Sequence, residues 1–206
     1  MGSSNSNNLP KPNNSIPIEG LKIIYNQMEK SICQLKNNQF AIAFFCRIPF
    51  QKNDSLLPVL ITTNTLLGKD DLTLGKKISL KFNEKDIEIT IDSERITFIN
   101  EKNNIIIIEI KATDNIDFKS ILEIDNDIFN DEAYNAFIHK NIYIISYRST
   151  SNVKYSRGLI TSIHDSEIEH NCFSKLDMAG APIINEKNYK VIGIHLGLSN
   201  SFRYIS

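Results

Sequence analysis

Hydrophobic positions along this chain mostly recur with a period of two. Ile87-Glu88-Ile89-Thr90-Ile91 alternates strictly, as a strand with one buried face must. The run 105–108 is continuously apolar, which predicts a strand buried on both faces. Short runs of these two kinds cover residues 31–35, 40–48, 58–62, 77–82, 87–91, 96–99 and 105–110, and then 142–147, 159–163, 181–184 and 190–196. Polar breaks at 83–86, 101–104 and 185–188 separate neighbouring runs. Many short strands at this spacing predict an all-β sandwich or a pair of barrels. The acidic interval 114–131 is the expected crossover between two halves.

Two segments break the pattern. Leu21, Ile24, Tyr25 and Met28 recur at near-helical spacing, which predicts a short amphipathic helix over 19–29. Residues 1–16, MGSSNSNNLPKPNNSI, have too little apolar surface to offset the entropy of ordering. They are expected to form a disordered tail ahead of a single domain over 17–206.

Composition narrows the function. Formal net charge is -1 with a pI near 6.4, so no broad field favours nucleic acid, and no nucleic-acid partner is expected. No apolar run approaches the roughly 18 residues of a membrane span. Cys33, Cys46 and Cys172 form no C-x-x-C pair, which predicts free, buried thiols, a reducing compartment and a cytoplasmic protein. His170-x-Cys172 has no second paired motif, so neither metal nor cofactor is expected. Met1-Gly2-Ser3-Ser4-Asn5-Ser6 fits the myristoylation pattern M-G-x-x-x-S with Gly2 as acceptor. Membrane association is expected only through that lipid, and one acyl chain anchors weakly and reversibly.

Seven motifs follow one another in order: QMEKSIC (27–33), AIAFFCRIP (41–49), LPVLITTNTLL (57–67), NIIIIEI (104–110), HNCFS (170–174), DMAGAPIIN (177–185) and VIGIHLG (191–197). Together the chain resembles the trypsin-like serine peptidases, in particular the intracellular type of protists and large viruses. The resemblance implies a chymotrypsin fold of two antiparallel six-stranded β-barrels, over about 30–112 and about 130–206, behind the short N-terminal helix. It also implies where a histidine, an aspartate and a serine would stand in an active member. Those positions hold Thr65, Asn104 and Ala179. Threonine is no base, an amide cannot stabilise an imidazolium as a carboxylate does, and a methyl group attacks nothing. Asp177 stands where the oxyanion-hole glycine would be.

His195 takes the place of a residue that lines the primary substrate pocket in relatives; a packed strand histidine is the alternative. His139, His164 and His170 are expected on the surface or in turns, and Cys172 is expected to be buried. These losses imply a non-enzyme, a pseudoprotease that binds a peptide or protein partner, for instance an active paralogue. Two other readings stay open: an active intracellular serine endopeptidase with an unusual catalytic set, and a lipid-anchored interaction module.

Overall fold

The computed structural model describes residues 15–36, 42–50, 55–118, 121–130, 136–147, 153–164, 167–173, 178–197 and 201–204. The expected tail, Gly2 and Asp177 therefore lie outside the described residues, apart from Ser15 and Ile16.

The chain opens with helix α1 (Ile18–Ser31). Gly20, Ile24 and Ser31 form its buried side, with Gln27 and Met28 half-buried between them. Glu19 in the first turn and Lys30 in the last both complement the helix dipole. At β-branched Ile32 the backbone switches to extended geometry, and strands follow for the rest of the chain.

The first sheet contains β1 (Ile32–Leu35), β2 (Ile42–Phe50), β3 (Ser55–Thr62), β4 (Lys77–Phe82), β5 (Lys85–Thr90), β6 (Thr97–Asn100), β7 (Ile105–Glu109) and β8 (Leu122–Glu123). Its order is β5-β4-β1-β2-β3-β7-β6, all antiparallel, with two-residue β8 lying parallel to β2. Asn83 and Glu84 both take positive φ, the two-residue turn that suits the twist between β4 and β5. The second sheet contains β9 (Asn141–Tyr147), β10 (Val153–His164), β11 (Glu167–His170), β12 (Pro182–Asn185), β13 (Lys190–His195) and β14 (Ser201–Tyr204). It closes as a six-stranded barrel in the order β10-β11-β14-β13-β12-β9.

The period of two now has a physical meaning. Along β2, Ala43 and Phe45 enter the core of the first sheet. Ile42, Phe44 and Cys46 point the other way, into a cluster shared with the second barrel. On β3, Leu60 faces the first core, while Val59 and Ile61 face the shared one. Strands β2 and β3 are thus the wall between two apolar cores, which is why residues 42–46 and 59–62 are buried without a break.

The expected crossover ties both halves together. Leu122 pairs with Cys46 of the first sheet, and Ile124 bridges to Val191 of the second. The buried Asp125 carboxylate accepts the side-chain amides of Asn185 and Asn188, each at 2.9 Å, and its N–H donates to the Val191 carbonyl at 2.8 Å. Buried Arg95 forks onto Asp114 at 2.8 and 2.9 Å and donates to the Thr90 and Glu109 carbonyls. Helix α1 is keyed to the second barrel through Gln27. Its amide donates to the Tyr189 carbonyl at 2.8 Å, and its oxygen accepts the Tyr143 hydroxyl at 2.6 Å. Burial pushes the Tyr143 hydroxyl well above its ordinary pKa, so it remains a donor. Among the described residues no helix is long and apolar enough to cross a membrane.

Candidate functional site

The residues that the sequence singled out meet where the two sheets touch. Ile42, the first described residue of β2, donates its N–H to the Ala179 carbonyl at 3.1 Å, a bond from one barrel to the other. The Ile42 carbonyl accepts the Thr62 hydroxyl at 2.8 Å, at the end of β3. Thr62 leads into the turn that holds Thr65, whose hydroxyl lies 2.9 Å from that of buried Thr63. Asn64 of the same turn donates its N–H to the Asn104 carbonyl at 3.4 Å. Ala179, Thr65 and Asn104, far apart in sequence, are therefore linked through Ile42, Thr62 and Asn64.

Each of the three has a local reason for its conformation. Asn104 closes the turn ahead of β7 at φ 58°, a left-handed geometry that asparagine tolerates better than most residues. Thr65 is exposed at the tip of its turn. Ala179 sits in a tight turn that closes with the Ala181 N–H on the Met178 carbonyl at 3.0 Å. Gly180 next to it has φ +84°, and a Cβ there would fall 1.9 Å from the Ile42 carbonyl oxygen. Only glycine lets the two barrels approach so closely at this point.

Strand β13 braces this turn from inside the second barrel. The Gly180 N–H donates to the His195 carbonyl, and the His195 N–H to the Ala181 carbonyl, both at 2.9 Å. The His195 ring is fully buried, and its Nδ1 accepts the Gly197 N–H at 2.9 Å. Its centroid lies 5.4 Å from the ring of His170 on β11. Burial lowers His195 to about 4, and burial together with His195 lowers His170 to about 3, so both are neutral imidazoles near pH 7.

His170 corrects the expectation of a surface or turn residue. Glu167 and Glu169 face solvent while Ile168 and His170 face the core, so the fourth position of β11 is an inward one. His139 and His164 are exposed, as expected. The three cysteines are free and buried, again as expected, and burial pushes the Cys172 thiol up to about 12. A thiol held that high is not a thiolate nucleophile. Among the described residues no three metal-ligating side chains come together.

What sequence reasoning missed is the supporting frame: Ile42, Thr62 and the inward His170. The alternation in Glu167-Ile168-Glu169-His170 could have revealed the last of these. Nothing local marks Ile42 as the residue that joins the barrels.

With this geometry in view, comparison places the architecture. A crystal structure of Deg5, a trypsin-like protease, matches with a TM-score of 0.60 at 10% sequence identity, covering 92% of this chain and 90% of the Deg5 chain. The fold is that of a trypsin-like protease. No protein-family model matches the sequence, and no curated protein matches it.

Proposed function

We propose that this protein is a catalytically inactive member of the trypsin-like fold that works by binding a peptide or protein segment at the junction of its two barrels. The observation that carries the reading is the set of side chains at that junction. Ala179, Thr65 and Asn104 occupy linked turns; at the positions the resemblance assigns them, Ala179 cannot be the nucleophile, Thr65 cannot be the general base and Asn104 cannot be the orienting carboxylate. The neighbouring groups are held inert by burial: Cys172 as the thiol, His170 and His195 as neutral rings. A sheet-rich junction can still hold an extended peptide by main-chain hydrogen bonds, with side-chain pockets supplying selectivity.

The binding role is tested by selecting a displayed library of unstructured peptides on the immobilised protein. Thr65→Arg places a bulky cation on the exposed turn, and Leu74→Arg does the same at an exposed site in another loop. Loss of the selected peptides with Thr65→Arg and their retention with Leu74→Arg is the expected result. Equal retention by both variants, or no enrichment at all, contradicts binding at the junction. Cytoplasmic residence and lipidation at Gly2 remain parts of the same proposal; an intact mass raised by the ~210 Da of a C14 acyl chain is the mark to look for.

A further inference from the structure

We infer that the buried pair His170–His195 is an acid-sensitive latch that holds the Ala179 turn against the first barrel. Because His195 Nδ1 accepts the Gly197 N–H, the neutral ring carries its proton on Nε2. Nε2 has no hydrogen-bond partner among the described residues, and the ring faces His170 at 5.4 Å. A second proton can only go to Nδ1. There it would point a new N–H at the Gly197 N–H, replacing an attraction by a confrontation of two donors.

The consequence spreads along the backbone. His195 both accepts from Gly180 and donates to Ala181, and the adjoining Ala179 carbonyl accepts from Ile42 of the other barrel. Displacing His195 therefore loosens the one turn that carries Ala179 and Gly180 at the barrel junction. His170 raises the sensitivity, since two imidazoliums at this separation repel each other in a dry interior. Burial is the influence acting on the His195 ring. Tyr143 and Cys172, buried in this barrel, are themselves kept uncharged by burial and supply no counter-ion, and the buried Asp125 carboxylate is engaged by Asn185 and Asn188.

The regulatory meaning rests on the binding role proposed above: mild acid would release whatever the junction holds. The test needs no ligand, so failure of the latch and failure of the binding reading are separate results. Hydrogen exchange of the full chain is followed at pH 7.5 and 5.0, with intrinsic rates corrected. An opening that frees His195 becomes about 30-fold more favourable over that interval, because a solvent-exposed imidazole titrates near 6.5.

The expected result is a loss of protection of about 30-fold or more at the Gly180, His195 and Gly197 amides. His195→Gln, which keeps an acceptor and cannot titrate, should remove the loss. Unchanged protection in the wild type overturns the latch without recourse to any variant. So does a loss that persists undiminished in His195→Gln.

Discussion

Replacing Gly180 by alanine asks whether the barrel junction is as tight as its geometry implies. Two costs add. A side chain at φ +84° costs about 1–2 kcal/mol from backbone sterics. The new Cβ would also lie 1.9 Å from the Ile42 carbonyl oxygen, 3.0 Å from its carbon and 3.1 Å from the Thr62 hydroxyl. Relief requires the two barrels to part, at about 1–3 kcal/mol for overpacking and about 1 kcal/mol for each hydrogen bond at Ile42 that is lost. The expected total, with one or both of the Ile42 bonds lost, is about 3–7 kcal/mol. Gly75 supplies the control: its φ is +83°, and a Cβ there meets nothing within 4 Å. Gly75→Ala should cost only the backbone share, about 1–2 kcal/mol. Urea unfolding of the three proteins at pH 7.5 measures both. If Gly180→Ala falls within about 1 kcal/mol of Gly75→Ala, the junction is not close-packed and the linkage of the three turns through Ile42 is wrong.

Other outcomes follow from the same structure. Asp114→Ala leaves the Arg95 guanidinium buried without its carboxylate and should cost about 3–5 kcal/mol in urea unfolding; a loss under about 1 kcal/mol would mean that the carbonyls of Thr90 and Glu109 suffice. Asn104→Gly should be close to neutral, whereas Asn104→Val should lose about 1–2 kcal/mol to left-handed strain, and equal stabilities would contradict the turn role. Both buried histidines bind protons less readily in the folded chain than in the unfolded one. Their contribution is complete above the unfolded value near 6.5 and is lost as pH falls through it. Unfolding free energy should drop by about 2 kcal/mol per ring, about 4 kcal/mol in all, between pH 7.5 and 5.0. A flat stability profile over that interval would mean that the rings are accessible to protons in the native state.

How far the sequence could be read depended on how each element makes its core. Strands β5 and β7 carry their signal locally, one by alternation and the other by an unbroken apolar run, and both were legible. Residues 42–46 were also legible as a strand. Their splitting between two cores was not, because either half of an apolar run can face either side. Strands β8, β11 and β14 escaped notice for different reasons. Two residues make no period, and Glu167-Ile168-Glu169-His170 hides its inward face behind a histidine. In β14 a Ser-Phe-Arg-Tyr segment is held by pairing with β11 and β13 rather than by local pattern.

At the site, the identities of Thr65, Asn104 and Ala179 were legible only through resemblance to a family. Their assembly through Ile42 and Thr62 depends on contacts between residues distant in sequence, the Ile42–Ala179 bond above all. His170 was misplaced because an isolated histidine gives no sign of its own burial.

The absence of catalysis is the central claim, and peptide hydrolysis tests it most directly. The wild-type protein and the triple variant Thr65→His/Asn104→Asp/Ala179→Ser are incubated with a mixed peptide library, and new termini are counted by mass spectrometry. The account predicts a silent wild type, with cleavage by the triple variant if the junction retains its groove. Turnover by the wild type, abolished by no change at Ala179, would contradict the account and require a nucleophile elsewhere in the chain.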